Sequence, residues 1–221
     1  MFFITGTDTG VGKTVFTALL AGYLRGRGLR VAALKPLCSG GRDDARSLHA
    51  VLGGVLTLDE INPWHFRAAL APLLAASREH RMVRLAEVRA HILAIQKKFD
   101  VTMVEGAGGL LSPLGKDFDS RDLLVALRAM PIIVAQNKLG VVNHLRLTLA
   151  ALPKSTSARA KIVLMAPSKP EAATATNLQL LSQFFPKKQM FTLPRLPENF
   201  VPAQALGQPL IRKTLRVLSQ F

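Results

Sequence analysis

Short apolar segments alternate along the chain with segments of helical spacing. The predicted strands are Phe2–Thr5, Arg30–Leu34, Val101–Glu105, Ile132–Ala135, Ile162–Met165 and Met190–Leu193. The predicted helices are Thr14–Leu24, Val83–Lys98, Arg121–Arg128, Val142–Leu152, Ala172–Phe185 and Ala205–Ser219. Strands that are apolar on both faces are expected where helices cover both sides of a sheet. The pattern therefore predicts a doubly wound α/β fold with a mainly parallel sheet.

The segment from Ser39 to His80 interrupts this alternation. It contains Gly-Gly, Asn-Pro and Ala-Pro breaks, which predict a long, partly helical excursion across the sheet. Excursions of this kind often cover a binding site. The sequence has no repeat, low-complexity tract or linker that marks a boundary, so we expect residues 1–221 to form a single domain.

Composition narrows the class of protein. Hydrophobic residues make up 49% of the chain, as in packed globular proteins, yet no apolar run approaches the roughly 18 residues of a membrane span. The N-terminus lacks the features of a secretory leader, so we expect a cytoplasmic protein with no membrane partner. Cys38 is the only cysteine, which excludes an internal disulfide and a multi-cysteine metal site.

Charge is unevenly distributed. The chain carries 29 Lys and Arg against 14 Asp and Glu, a net charge of +15. Residues 123–221 contain 13 of the bases and two of the acids. Such a field favours anionic small molecules. Because the bases are scattered and no aromatic residues are interleaved with them, we interpret them as a solvated surface and do not expect specific nucleic-acid binding.

A glycine-rich loop follows the first predicted strand. Residues 6–14 read Gly-Thr-Asp-Thr-Gly-Val-Gly-Lys-Thr and open the first predicted helix, which is the context of a phosphate-binding loop. Its backbone N–H groups and the helix N-terminus attract phosphate, Lys13 supplies a positive charge, and Thr14 offers a hydroxyl to Mg²⁺. Five residues rather than four separate Gly6 from Gly12, so the usual spacing is stretched by one.

Lys35 follows the second predicted strand, which in most doubly wound sheets lies next to the first. Ligands collect at the carboxyl ends of such strands, so we expect Lys35 to face the phosphates. Asp43 and Asp44 follow within a few residues. Either carboxylate could bind Mg²⁺, although a pair of acids in a loop is also often simply exposed to solvent.

Glu105 ends the third predicted strand and precedes glycines at 106, 108 and 109. A single acid at a strand end is the group that many nucleotide-dependent enzymes use to hold Mg²⁺, directly or through water. The glycines permit close approach of the backbone to a ligand. We therefore predict an Mg²⁺ and nucleotide site built from Lys13, Thr14, Lys35, the Asp43-Asp44 pair and Glu105.

These motifs together resemble the dethiobiotin synthetase family. The stretched phosphate loop, Lys35-Pro36 with Ser39-Gly40, and residues 104–109, Val-Glu-Gly-Ala-Gly-Gly, match its signatures in order. Further matches are Ile61-Asn62-Pro63-Trp64, Lys138-Leu139-Gly140 and Asn143-His144. The resemblance extends from Phe2 to about Thr148, and the ordered set is more specific than any one piece.

The resemblance implies a homodimeric enzyme that closes the ureido ring of dethiobiotin from 7,8-diaminopelargonate, CO₂ and ATP. One amine becomes a carbamate, ATP phosphorylates it, and the second amine expels phosphate. Lys13 and Lys35 would be catalytic and would stabilise the developing charge. Thr14, Asp44 and Glu105 would hold Mg²⁺.

The resemblance also implies the remaining contacts. The substrate-binding residues would be Thr9 and Ser39 at the carbamate end, and Gly140, Val141, Val142 and Asn143 at the carboxylate tail across the dimer interface. The expected nucleotide-binding residues are Gly10, Val11, Gly12, Lys13, Thr14, Val15, Asp44, Glu105, Gly106, Ala107, Gly108, Pro194, Arg195 and Leu196.

The sequence departs from the family pattern at several positions. Gly10 stands where many members have an acid, and Ala68-Ala69 and Leu73 lie in a stretch where Glu-Pro and His are common. Ala166-Pro167 replaces an Asn-Asp pair whose asparagine reads adenine. Because Ala166 has no amide, we expect relaxed base preference or base contacts from Pro194, Arg195 and Leu196.

Three alternatives remain open at this point. Amidating synthetases that act on cobyrinate share the fold and the use of Mg·ATP, but they continue into a glutaminase domain that 221 residues do not accommodate. ATP-driven switches of the chromosome-partitioning type carry an extra lysine where Thr7 and Asp8 stand here. A divergent synthetase that only binds nucleotide is the third.

Overall fold

A six-stranded sheet forms the centre of the fold in the computed structural model, which describes residues 1–197 and 200–220. The ten strands are β1 (Phe2–Gly6), β2 (Val31–Leu34), β3 (Leu37–Ser39), β4 (Trp64–Phe66), β5 (Val101–Glu105), β6 (Pro113–Gly115), β7 (Phe118–Asp119), β8 (Met130–Gln136), β9 (Lys161–Met165) and β10 (Met190–Leu193). The central sheet has the order β10-β9-β8-β1-β5-β2, and its neighbouring strands are all parallel.

Helices cover both faces of this sheet. They are α1 (Lys13–Arg25), α2 (Asp43–Leu52), α3 (Leu58–Ile61), α4 (Pro72–Arg78), α5 (Leu85–Gln96), α6 (Ser120–Ala126), α7 (Val141–Ala150), α8 (Lys154–Ser157), α9 (Ala172–Leu181), α10 (Pro202–Ala205) and α11 (Pro209–Leu218), with a 3₁₀ turn at Lys187–Gln189. No helix in the described residues is long and apolar enough to cross a membrane.

The strands are buried because their side chains are apolar on both faces. Every residue of β1, β2 and β5 is buried, as expected for a parallel sheet between two helical layers. All six predicted strands are present, and two of them, Val101–Glu105 and Met190–Leu193, have the predicted bounds. The predicted doubly wound α/β fold is confirmed.

Two predictions about the elements are wrong. The predicted helix Ala205–Ser219 is two helices, α10 and α11, because Pro209 lacks a backbone N–H and so begins a new helix after the turn at Gly207. The second strand does not lie next to the first. β5 lies between β1 and β2 and pairs with both, which leaves β2 at the edge of the sheet.

The predicted excursion between Ser39 and His80 contains regular structure. It contributes α2, α3, α4 and β4, and β4 pairs in parallel with β3 beside the main sheet. The Thr57 side chain accepts a hydrogen bond from the backbone N–H of Glu60, and the Glu60 side chain accepts one from Thr57 N, so a capping box fixes the start of α3. A second small sheet, β6 and β7, is an antiparallel hairpin.

Candidate functional site

The glycine-rich loop joins β1 to α1 at the carboxyl end of the sheet. Gly12 precedes α1 with φ 97°, and Gly10 has φ 73°. Both values lie in the left-handed region that residues with a Cβ rarely adopt, which explains glycine at these two positions. The 13-residue helix α1 therefore begins with its free N–H groups at the loop, an arrangement that attracts phosphate.

Lys13 is the first residue of α1 and is only 6% exposed. Its Nζ donates to the backbone oxygen of Asp8 at 2.8 Å, so the side chain curls back under the loop. Burial, and then the nearby charge of Lys35, lower the pKa of Lys13 to about 8. An anionic ligand would stabilise the charged form of an ammonium group that is partly desolvated and lies near a second cation.

Lys35 forms the centre of a buried ionic cluster at the end of β2. Its Nζ lies 2.7 Å from Glu105 Oε1 and 2.9 Å from Asp44 Oδ2, and it donates to the Gly106 oxygen at 3.2 Å. Burial opposes the charge, but Glu105 and Asp44 together raise the pKa of Lys35 above its ordinary value. The same pairing holds the pKa of Asp44 below its usual range, although burial acts against ionisation. Lys35 and Asp44 are therefore both charged at neutral pH.

Glu105 connects this cluster to the phosphate loop. Thr14 Oγ1 donates to Glu105 Oε1 at 2.7 Å. The other carboxylate oxygen, Oε2, is buried and has no hydrogen-bond partner among the described residues. A buried carboxylate oxygen without a partner is costly unless a cation binds it. Together with the Thr14 hydroxyl and the half-exposed Asp44, this oxygen fits a hard cation such as Mg²⁺.

The described residues contain no group of three or more His, Cys, Asp or Glu side chains that could hold a metal by themselves. Mg²⁺ is usually held by one or two carboxylates together with water and substrate phosphates. The donor set of Thr14, Asp44 and Glu105 is of this incomplete kind. It therefore suits a metal that arrives with a nucleotide.

A cleft of about 530 Å³ lies between the glycine loop, the Lys35 segment and the loop after β5. Most of the predicted site residues line it: Thr9, Gly10, Gly12, Lys13, Thr14, Val15, Lys35, Ser39, Asp44, Ala107 and Gly108. Val11, Glu105 and Gly106 are buried and do not border it, although Glu105 contacts Thr14 and Lys35 of the lining. The fold thus brings together residues from three strand ends that are up to about a hundred positions apart in sequence.

Two predicted groups lie outside this lining. Pro194, Arg195 and Leu196 follow β10, where Arg195 Nη1 donates to the Ser168 oxygen at 2.8 Å. Gly140, Val141, Val142 and Asn143 form the start of α7, with Gly140 at φ 88°, and Asn143 lines a separate groove beside Arg146 and Phe184. Within the described part of one chain, neither group borders the cleft that contains Lys13.

Other residues of the cleft lining were not predicted. Ser112, Ala71 and Pro72 border it, and Cys38 lies at its edge. Ser112 Oγ accepts from Gly109 N at 2.8 Å, and a Cβ on Gly108 would lie 2.3 Å from Ser112 Oγ. In the sequence, only the glycines at 108 and 109 indicate that another group approaches this part of the backbone closely. Burial raises the pKa of the Cys38 thiol, the direction opposite to that of a reactive nucleophile.

The end of β9 lies against the phosphate loop. A Cβ on Gly12 would lie 3.3 Å from the Met165 side chain. The next residue, Ala166, donates its backbone N–H to the Leu193 oxygen at 3.0 Å. The strand end where the sequence departs from the family pattern therefore carries a methyl group and a proline ring, neither of which provides a side-chain donor or acceptor.

The sequence of this chain is similar to those of known proteins. A family model described as AAA domain matches residues 1–200. The ATP-dependent dethiobiotin synthetase of Anaeromyxobacter dehalogenans is 38% identical over 216 residues, covering 96% of this chain and 97% of that protein. The corresponding protein of Xylella fastidiosa strain Temecula1 is 35% identical over 210 residues, covering 91% and 93%.

Solved structures share the fold at lower identity. A ParA family ATPase from Chlorobium tepidum superposes with a TM-score of 0.59 at 12% identity, covering 99% of both chains. A MinC:MinD cell division protein complex from Aquifex aeolicus gives 0.59 at 16% identity, covering 98% of this chain and 94% of the other. At these identities the likeness concerns the fold alone.

Proposed function

The chain belongs to the ATP-dependent dethiobiotin synthetase family, and from this premise we propose that it closes the ureido ring of dethiobiotin in an ATP- and Mg²⁺-dependent ligation. The substrates are 7,8-diaminopelargonate, CO₂ and ATP. The reaction passes through a carbamate that ATP phosphorylates. The second amine of the substrate then attacks the mixed anhydride and phosphate leaves.

One observation carries the proposal. Two buried lysines, Lys13 and Lys35, line a cleft together with Thr14 and Asp44, and the buried Glu105 carboxylate contacts both Lys35 and the Thr14 hydroxyl. Phosphoryl transfer requires positioning and charge stabilisation more than covalent chemistry from the protein. Two ammonium groups in a largely desolvated site supply the charge, and they act more strongly there than in water.

The chain's own groups have separate roles in this proposal. The N–H groups of the loop from Gly10 to Val15 hold the phosphates, and Lys13 neutralises charge on the transferring group. Lys35 stabilises the carbamate and the phosphorylated intermediate. Thr9 and Ser39, which line the same cleft, hydrogen-bond the carbamate end of the substrate.

Thr14, Asp44 and Glu105 are the residues that would hold Mg²⁺. The support is the buried, unpaired Oε2 of Glu105 together with two further oxygen donors beside it. When bound, Mg²⁺ supplies positive charge to the phosphate oxygens. Gly106, Ala107 and Gly108 border the nucleotide, and Pro194, Arg195 and Leu196 are proposed to contact the base.

The carboxylate tail of the substrate is proposed to bind Gly140, Val141, Val142 and Asn143 of a second subunit. The N–H groups at the start of the ten-residue helix α7 suit a carboxylate. Because these residues do not border the cleft of their own chain, a homodimer is needed to complete the site. We propose that residues 1–221 act as one synthetase domain within that dimer.

The direct test mixes the purified protein with diaminopelargonate, bicarbonate, Mg²⁺ and ATP and measures ADP and dethiobiotin. We expect the two products in equal amounts. Release of ADP without dethiobiotin would contradict the ligation and indicate an ATPase. Absence of both products, with nucleotide still bound, would indicate a chain that only binds nucleotide.

A further inference from the structure

Asn62 is a fully buried polar residue directly behind the ionic cluster. It is 0% exposed and follows α3, whose capping box fixes the backbone that leads to it. Its carboxamide is not in the cleft lining, so it does not touch the proposed ligands. Burying a carboxamide costs free energy unless hydrogen bonds satisfy its donor and acceptor groups, so its partners show what it holds in place.

The Asn62 carboxamide joins the segment that carries Lys35. Its Nδ2 donates to the Lys35 backbone oxygen at 2.7 Å. On the neighbouring backbone, Lys35 N donates to the Ile61 oxygen at 3.0 Å. The main chain of Lys35 is therefore held through both its N–H and its C=O groups by consecutive residues of one short segment.

The other side of the same carboxamide contacts the segment that carries Asp44. Arg42 Nε donates to Asn62 Oδ1 at 3.1 Å, and Arg42 Nη2 donates to the Asn62 backbone oxygen at 3.0 Å. Cys38 Sγ also lies 3.0 Å from Oδ1. Arg42 immediately precedes α2, so its position sets where Asp43 and Asp44 begin that helix.

We propose that Asn62 is a positioning residue of the phosphate and metal site, which joins the end of β2 to the start of α2 so that Lys35 and Asp44 meet beside Glu105. This inference rests on the proposed function, because it concerns the same site. Lys35 and Asp44 belong to different elements, and their 2.9 Å contact requires those elements to keep their spacing. A displacement of about 1 Å in such a site lowers the rate by roughly 100-fold.

The test uses Asn62→Leu, which keeps the size of the side chain and removes all of its hydrogen bonds. Asn62→Asp is the second variant. It keeps the oxygen that accepts hydrogen bonds from Arg42 and Cys38. It replaces the donor to the Lys35 carbonyl, 2.7 Å away, with a second oxygen. The contact with Arg42 is therefore kept, and the hydrogen bond to the Lys35 backbone is lost. If the leucine variant does not fold, the aspartate variant carries the test.

The matched control is Leu215→Ala. Leu215 is 0% exposed in α11 and lies outside the site, so this variant is destabilised by loss of core packing alone. We expect kcat of both Asn62 variants to fall about 10- to 100-fold, with KM for ATP changed less than about threefold, and the Mg²⁺ midpoint of Asn62→Leu to rise. Leu215→Ala, assayed below its melting temperature, should keep kcat within about twofold of wild type.

A second measurement separates this inference from the proposed reaction. Mn²⁺ binding in the presence of a non-hydrolysable ATP analogue, followed by electron paramagnetic resonance, should weaken about tenfold in Asn62→Leu, in which the segment carrying Asp44 also loses its contact through Arg42, and remain unchanged in Leu215→Ala. If wild type forms no dethiobiotin, the proposed function fails and the Mn²⁺ titration still decides the role of Asn62. Mn²⁺ affinity and kcat equal to those of the Leu215 control would overturn the inference.

Discussion

At the scale of single residues, the two lysines of the cleft differ in their charge environment. Lys35 is paired with two carboxylates, whereas Lys13 Nζ donates to the uncharged backbone oxygen of Asp8. The pKa of Lys13 is lowered to about 8 by burial and by Lys35. Of the two ammonium groups, that of Lys13 is therefore stabilised more in its charged form when a phosphate binds.

The first prediction follows from the pKa of Lys13. In the free protein part of the Lys13 population is neutral near pH 8.5, since its pKa is about 8. Bound phosphate favours the charged form, so binding of an ATP analogue should take up protons at pH 8.5 and almost none at pH 6.5. Affinity should weaken as pH rises through 8. Calorimetry in buffers of different ionisation enthalpy measures the uptake.

The matched variant is Lys13→Met, which keeps the length of the side chain and removes the titrating group. Proton uptake at pH 8.5 should disappear in this variant. Uptake that persists at the wild-type value would mean that another group, and not Lys13, titrates on nucleotide binding.

The second prediction concerns Glu105, whose side chain is fully buried with Oε2 unpaired. Glu105→Gln keeps the shape and removes the negative charge that a hard cation requires. We expect the Mg²⁺ concentration for half-maximal activity to rise about tenfold or more, while KM for diaminopelargonate changes little. A Mg²⁺ titration that coincides with wild type would show that Glu105 does not hold the metal.

At the scale of elements, the cluster around Lys35 joins the ends of β2 and β5 to the start of α2. The Lys35 ammonium lies within 2.9 Å of both carboxylates proposed to hold Mg²⁺. Two cations at this distance repel each other strongly in a buried site. Lys35 and Mg²⁺ therefore compete for the same carboxylates, and metal binding should turn Lys35 toward the substrate.

This competition gives the third prediction. Lys35→Met should remove most dethiobiotin formation, because a charge that stabilises the phosphorylated carbamate is lost. The same variant should bind Mn²⁺ without nucleotide about tenfold more tightly than wild type, because the competing ammonium is gone. Wild-type turnover would contradict the role of Lys35, and weaker Mn²⁺ binding would contradict the competition. Lys116→Met, at an exposed position of the chain, is the control.

The sequence predicted elements and motifs well but not their spatial pairing. The positions of the six main strands follow from local apolar pattern, and the glycine loop, Lys35 and Glu105 follow from motifs at strand ends. The position of β2 at the sheet edge was missed, since strand order depends on contacts between distant segments. The role of Asn62 was missed for the same reason: its partners, Lys35 and Arg42, are 27 and 20 positions away.

The ends of β9 and β10 carry the fourth prediction. An asparagine that reads adenine penalises a wrong base by roughly 1–3 kcal/mol, because donor and acceptor groups are left unpaired. Ala166 has no side-chain donor or acceptor, and its backbone N–H is used by the Leu193 oxygen. We expect CTP, GTP and UTP to support the reaction within about tenfold of ATP. A preference for ATP above a hundredfold in steady-state assays would show that adenine is read elsewhere, for example by backbone groups at 194–196.

At the scale of the whole molecule, the proposed site is divided between two surfaces of one chain. The phosphate cleft contains Lys13 and Lys35, whereas Gly140 to Asn143 lie at the start of α7 and do not border it. In the proposed reaction, a substrate with a carbamate at one end and a carboxylate at the other contacts both surfaces. A symmetric dimer in which each cleft faces the partner's α7 would satisfy this requirement.

The last prediction tests this division by complementation. Lys35→Met disables the cleft. Asn143→Asp changes the third position of α7. An acid near a helix N-terminus stabilises the helix, but here it places a negative charge where the substrate carboxylate is proposed to bind. This variant should therefore raise KM for diaminopelargonate, and Asn143→Ala should raise it less.

If each site combines one cleft with the partner's α7, mixed dimers of Lys35→Met and Asn143→Asp contain one intact site and one doubly altered site. Random exchange between equal amounts of both variants should then restore about a quarter of wild-type activity, because half of the dimers are mixed and each has one working site of two. A mixture no more active than its parents would indicate that cleft and tail contacts come from the same chain.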